Sequence, residues 1–439
     1  MRAVLVSVSL LMACSAPSAG VPTRDPTERW PGGDTSVEEV SARSFSLPAR
    51  NLDADHRAMF SVGNNLFADN WVTAPSSTSA RDGLGPRFDA TSCSGCHLHD
   101  GRGRIEDDGS ILSAVVRLSA AEGGAHPAYG SQLQRHAVLG LNVEGGARVR
   151  AREVDGLRAY ELVLDLPVAD PSMRTSLRVA PQLIGLGLLE AIEERAILAY
   201  ADPDDRDGDG ISGRPNRVMD PRSQRLVLGR IGWKANQPNV ESQVASALAG
   251  DIGITSSLMA ITECAAWDEP CRLIPSGGEP EISDELLGFL VLYSRTLAVP
   301  AARDFDDPDV VRGRHHFAAA GCPSCHVPSF TTGESDVAAL GHQRIWPYTD
   351  LLLHDMGEGL ADGRADGDAT GSEWRTPPLW GIGLIERVND HTTLLHDGRA
   401  RSIDEAIRWH GGEADAARQA YEALSITDRA ALVRFVSSI

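Results

Sequence analysis

The sequence predicts a mainly α-helical chain of two related domains in tandem, with long loops and a small β-hairpin inserted in the first. Three observations predict this. A short cysteine–histidine pattern occurs twice. Each copy is followed by the same proline–leucine–glycine element. Each half then closes on a capped stretch with apolar residues at helical spacing. The halves are placed at 45–300 and 301–439, after a signal segment at 1–20 and a flexible linker at 21–44 rich in Pro, Gly, Ser and Thr.

The N-terminus pairs Arg2 with a short apolar stretch, Ala3 to Met12, too short to span a bilayer. It ends in Leu11-Met12-Ala13-Cys14, which resembles a bacterial lipobox with Cys14 as the lipidated residue; ordinary signal cleavage near Ala19 is the alternative. Either reading makes the protein an exported one. Further along, "ARVRAREVDGLRAYELVLDL" (147–166) alternates around Asp155-Gly156, the signature of a hairpin. "APQLIGLGLLEAI" in the first half aligns with "TPPLWGIGLIERV" in the second, matching Pro181, Leu183, Gly185, Gly187, Leu188 and Glu190 to Pro377, Leu379, Gly381, Gly383, Leu384 and Glu386. The closing helices are expected to start at Ser283 as N-cap with Asp284, and at Thr427 with Asp428.

A formal net charge of -20 argues against nucleic acid or an anionic membrane as the main partner. It fits an acidic protein that could steer a basic redox partner. Lys234 is the only lysine, which reads as a composition bias.

The chemistry lies in "SCSGCH" and "GCPSCH". Cys93, Cys96 and His97 form one CxxCH, and Cys322, Cys325 and His326 the other. Two thiols separated by two residues match the two vinyl groups of a haem, and the following histidine suits its iron. A zinc site would gather four thiolates without needing either histidine. A dithiol redox site would sit in a βαβ context that is absent here. Of the seven cysteines, Cys14 and these four leave Cys264 and Cys271, which read as a disulfide in an exported protein, or else as two free thiols.

The segments before each motif, "MFSVGNNLFADNW" and "VRGRHHFAAAGCPSCH", resemble the N-terminal helices of class I cytochrome c domains. With "YGSQLQ", "RVAPQLIGLGLLEAI", "GRIGWKANQP", "GDIGITS", "DLLLHDMGEGLADG" and "LLHDGRARSIDEAIRWHGGEA", the chain from about 45 to the end resembles the di-haem oxidoreductase, or putative peroxidase, branch of the dihaem cytochrome c peroxidase superfamily. That resemblance implies two covalently bound haem c groups, with His97 and His326 as proximal ligands. It implies a sixth ligand for the second haem at the position of His410, where relatives often carry Met; Met356 is the competing candidate. It implies an acid–base group at the first haem. Glu190 is taken for this role, with His136 and Gln182 as alternatives, and a structural Glu190 is the plain reading. His99, His315 and His316 read as surface or haem-edge residues. Trp233 could relay electrons between the haems, or be a core residue.

"DPDDRDGDGISG" places Asp205, Asp207 and Asp209 before Gly210, like the start of a calcium loop, although Asn216 stands where an EF-hand carries Glu. The function expected is reduction of hydrogen peroxide with electrons from a small cytochrome or cupredoxin, in the periplasm and anchored to the outer membrane. The alternatives are an electron carrier with both irons six-coordinate, or an oxidase of an organic, thiol or protein substrate.

Overall fold

The computed structural model describes residues 24–78, 80–168, 170–260, 264 and 268–439; Cys14 and the signal segment lie outside them. Each half is organised around a leading helix and a closing helix, packed against one another. In the first half these are Ala54–Ala68 and Asp284–Arg295; in the second, Pro308–Ala319 and Ile426–Ser438. Side-chain caps start all four: Asp53, Ser283, Asp307 and Ser425 each accept a backbone N–H of the first turn. The last cap corrects the expectation of Thr427, because the N-cap lies two residues earlier, on Ser425.

Glycine sets both helix crossings. A Cβ on Gly63 would meet the Phe289 carbonyl oxygen at 2.2 Å, and one on Gly313 would meet that of Ala431 at 1.9 Å. Four residues on, Phe67 and Phe317 fill equivalent places beside the two motif histidines. Their ring centroids lie 6.2 Å from His97 and 6.2 Å from His326.

The repeated PxLxGxGLxE element joins the halves. Gly185 and Gly381 have positive φ (72° and 73°), which glycine adopts without a Cβ clash. Their N–H groups donate to Leu297 and Ile439 carbonyls, just beyond or at the end of each closing helix. A Cβ on Gly185 would strike Trp380, and one on Gly381 would strike Ile184. Each copy therefore receives the side chain preceding the glycine of the other. One buried apolar cluster runs through both halves, from Phe45 and Tyr293 to Phe435 and Ile439.

The expectation of a mainly α chain built as two tandem cytochrome c-like domains is overturned. The structure is 30% helical and 17% strand, with twelve strands in six two-stranded sheets among the described residues. Ala114–Ser119 pairs with Arg174–Val179, and Gly146–Val154 with Leu157–Asp165 across Asp155-Gly156, both at positive φ. These strands and their loops build a second buried cluster around Val116, Leu118, Leu133 and Val179. Nor is 24–44 a free tether. Glu28 is buried and accepts from the Tyr348 hydroxyl, and Trp346 N–H donates to Pro31. A composition rich in Pro and Gly does not reveal such anchoring contacts, which come from the far half of the chain. Among the described residues no helix is long and apolar enough to cross a membrane.

Candidate haem site

Both CxxCH motifs fold as a short 3-10 turn, Cys93–Gly95 and Cys322–Ser324. In each, the histidine N–H donates to the first cysteine's carbonyl at 2.9 Å. The imidazoles are held alike. Nδ1 of His97 lies 2.8 Å from the Pro181 carbonyl, and Nδ1 of His326 lies 2.9 Å from that of Tyr348. A carbonyl on Nδ1 selects the tautomer with the proton there and leaves Nε2 as a lone pair. Burial pulls both histidines down to about 4, so both are neutral near pH 7.

The four motif cysteines are free thiols. Burial pushes Cys93, Cys96 and Cys322 up to about 12 and raises Cys325. Such thiols are not reactive dithiols at neutral pH. The four do not converge either: among the described residues the only group of three or more possible metal-binding side chains is Asp205, Asp207 and Asp209. Zinc and dithiol chemistry therefore do not fit these turns.

Both motifs open on one cavity of about 610 Å3. Its walls are mainly apolar, but buried guanidiniums face it, among them Arg102 and Arg375. Arg102 donates to the carbonyls of Thr393 and Leu395, and Arg375 to those of Gly232 and Thr376. Among the described residues neither has a carboxylate within ion-pair distance, and burial pulls each down to about 10. A buried cation without an anion is costly, so an occupant bearing acidic groups completes the site. Haem, with its two propionates, fits: four thiols, two neutral imidazoles, apolar walls and two unpaired cations. Trp233 sits between these arginines. Its Nε1 donates to Val179 at 3.0 Å, Arg102 lies 5.2 Å over its ring, and its carbonyl accepts from the Arg375 N–H.

His410 lines the same cavity, with Nδ1 2.8 Å from the Ala406 carbonyl. It is close enough to His326 to help lower that imidazole's pKa. No second imidazole acts in this way on His97, whose shift comes from burial opposed by the Pro181 and Gly101 backbone. Met356 also lines the cavity.

Glu190 is placed differently. It accepts from Val240 N–H at 3.3 Å, lies 3.4 Å from Arg295, and is not part of the cavity wall. His136 stacks on Phe88 on the outside of a two-residue strand pair. Gln182 does line the cavity, next to Pro181, with its buried Oε1 unpartnered. His99 binds the Val388 carbonyl, and His316 pairs with Asp428. Asp205, Asp207 and Asp209 come together on the surface, whereas Asn216 is buried and bonded to Lys234 and Asp366. Cys264 and Cys271 are joined in a disulfide.

Three features escaped the sequence reading. His396 is buried on the cavity wall, stacked 3.7 Å from Trp374. His354 is held between Asp350 and Glu413 at 2.8 and 2.7 Å, with the Cys325 thiol at 3.5 Å. Asp251 and Gln132 line the cavity on the side of the first motif. The only signal for these residues was their place in the quoted phrases, His354 in "DLLLHDMGEGLADG", Asp251 in "GDIGITS" and Gln132 in "YGSQLQ".

A family model described as "Di-haem oxidoreductase, putative peroxidase" matches residues 28–121 and 164–439. It leaves out 122–163, which holds most of the hairpin. No curated protein and no solved structure matches.

Proposed function

We infer the function from one premise: the chain belongs to the di-haem oxidoreductase, putative peroxidase family, and is therefore a dihaem oxidoreductase. Cys93 with Cys96, and Cys322 with Cys325, are read as the covalent attachment points of two haem c groups. His97 and His326 are read as iron ligands, and His410 as the sixth ligand of the second haem. The reaction is reduction of hydrogen peroxide, with electrons from a small cytochrome or cupredoxin.

The observation that carries this reading is the inequality of two otherwise matching turns. His326 shares the cavity wall with a second imidazole, His410, which acts on it electrostatically, and among the described residues no imidazole acts in this way on His97. One coordination site filled and one open is what a peroxidase needs; a pure carrier would fill both.

When bound, the haems supply one-electron storage and a site for a small oxidant. The chain's residues supply the rest. The carbonyls of Pro181, Tyr348 and Ala406 fix the three imidazole tautomers. Arg102 and Arg375 neutralise acidic groups inside the cavity, and Trp233 spans the gap between them. The disulfide supports an oxidising compartment, in line with export, a lipid anchor at Cys14 and a periplasmic, outer-membrane location. The three clustered aspartates are read as a calcium site.

The test is made on purified holoprotein. Two haems should remain attached after denaturation, one being lost when Cys93 and Cys96 are both replaced by Ser. One haem should bind cyanide, and reduced donor protein should be oxidised on adding peroxide. If neither haem binds cyanide, even after partial reduction, the protein is an electron carrier.

A further inference from the structure

Peroxide reduction consumes two protons as well as two electrons, so the first motif needs a proton donor within reach. We propose that Asp251, seated with Gln132 on the wall beside the first motif, is the proton donor of this site. The proposal rests on the peroxide-reduction reading.

Asp251 lies in a π-helical turn, Leu248–Ile252, ended by Gly253 at φ 79°. Such turns widen the backbone and recur at functional sites. The Asp251 carbonyl accepts the N–H groups of Asp89 and Ala90, pinning the turn against the segment that leads into Cys93. Gln132 and Gln134 clamp it from the other side, both donating to the Gly250 carbonyl, at 2.9 and 2.7 Å.

The Gln132 amide is fully buried and bridges two carboxylates. Its Nε2 lies 3.0 Å from Asp89 Oδ2 and 2.9 Å from Asp251 Oδ1, and its Oε1 accepts from Arg117 at 3.0 Å. The two acids are unequal. Asp89 has the Arg135 guanidinium at 2.6 Å, whereas Asp251 has no cation within ion-pair distance among the described residues. Burial raises both, and Arg135 offsets the rise at Asp89. Burial and the nearby Asp89 push Asp251 up to about 6, against the Gln132 bond and the fields of Arg117 and Arg135. The remaining titratable neighbours are the Cys93 and Cys96 thiols, whose own shifts record the charge of Asp251. The two acids differ in their partners, since among the described residues only Asp89 has a guanidinium bonded to it. Of the two, Asp251 faces the cavity.

The balance is H2O2 + 2 e- + 2 H+ → 2 H2O. The donor protein supplies the electrons one at a time. As the O–O bond breaks, the Asp251 carboxyl gives its proton to the departing oxygen and becomes a carboxylate, which the Gln132 N–H then stabilises. Solvent supplies the second proton and later reprotonates Asp251.

The test uses holoprotein carrying Asp251→Asn, Asp251→Glu or Gln132→Met. Infrared difference spectra should show a protonated carboxyl band titrating near pH 6 in the wild type, absent in Asp251→Asn and moved to higher pH in Gln132→Met. Peroxide turnover should fall about a hundredfold or more in Asp251→Asn and partly recover in Asp251→Glu, while haem reduction by the donor keeps its rate. Turnover within threefold of wild type in Asp251→Asn, or a band that persists there, overturns the proposal. If the wild type turns over no peroxide, the functional reading fails by itself, and the infrared band still decides whether Asp251 holds the proton.

Discussion

Replacing Lys234 by Met should be among the most damaging single changes outside the motifs. Lys234 is the chain's only lysine and its side chain is fully buried. Nζ donates to Asp362 Oδ1 at 3.0 Å and to the Arg364 and Thr370 carbonyls at 2.9 and 2.7 Å, and it lies 4.4 Å over Trp374. All of its donors are thus satisfied by the loop that carries Trp374 and Arg375 to the cavity. Methionine keeps the stem and the packing but removes the charge, leaving Asp362 buried. Breaking a buried pair in this way costs about 3–5 kcal/mol. Arg178, 3.9 Å from the other Asp362 oxygen, still offers partial compensation, so the lower end applies, about 3 kcal/mol. Denaturant titration of the holoprotein measures this. Lys234→Met combined with Asp362→Leu removes both charges and should recover about 2 kcal/mol, because no uncompensated carboxylate remains. A single-variant loss below about 1 kcal/mol, or simple additivity in the double variant, would refute the assignment of Lys234 as the charged hub of this loop.

Gly313→Ala and Gly63→Ala should each destabilise by about 1–3 kcal/mol, since the new methyl meets a backbone carbonyl that only helix separation can relieve; equal unfolding midpoints would contradict the close crossings. His410→Met should change the absorbance and magnetic spectra of the second haem alone, and unaltered spectra would remove His410 from the ligand set. For His354, burial alone lowers the pKa, but bonds to Asp350, the Cys325 thiol and Glu413 outweigh it and hold the value well above the ordinary one. Its stabilisation is therefore full below the unfolded value of about 6.5 and is lost as pH rises through the raised folded value. The stability gap between wild type and His354→Gln should accordingly be widest near pH 6 and narrow in alkali; a gap that does not change with pH would mean the imidazole carries no extra proton.

The site's skeleton was legible because it depends on local spacing. Cys93, Cys96 and His97 must be neighbours in sequence to make one turn, and the duplicated Gly185 and Gly381 mark two backbone positions of the same conformation. The helix pairs were legible from period and caps. Of the strands, the hairpin pair Gly146–Val154 and Leu157–Asp165 was legible and the others were not. Most span two to four residues, such as Arg87–Phe88 and Phe330–Thr331, too short to show alternation, so the helical signal of the repeats was extended to the whole chain. Glu190 follows from the resemblance, as the glutamate ending the first repeated element, but that element serves the glycine packing between halves, and the carboxylate ends on Arg295.

By itself, then, the sequence determined the two CxxCH turns, the duplication around them and the hairpin turn at Asp155-Gly156, all set by chemistry within a few residues. Only the tertiary structure decided which groups face the shared cavity and in what protonation state. His410 near His326, Arg102 and Arg375 on one cavity wall, and Asp251 beside Asp89 all bring together residues distant in sequence. Burial and charge neighbours are properties of that assembly, and they raise Asp251 above the ordinary range of an aspartate.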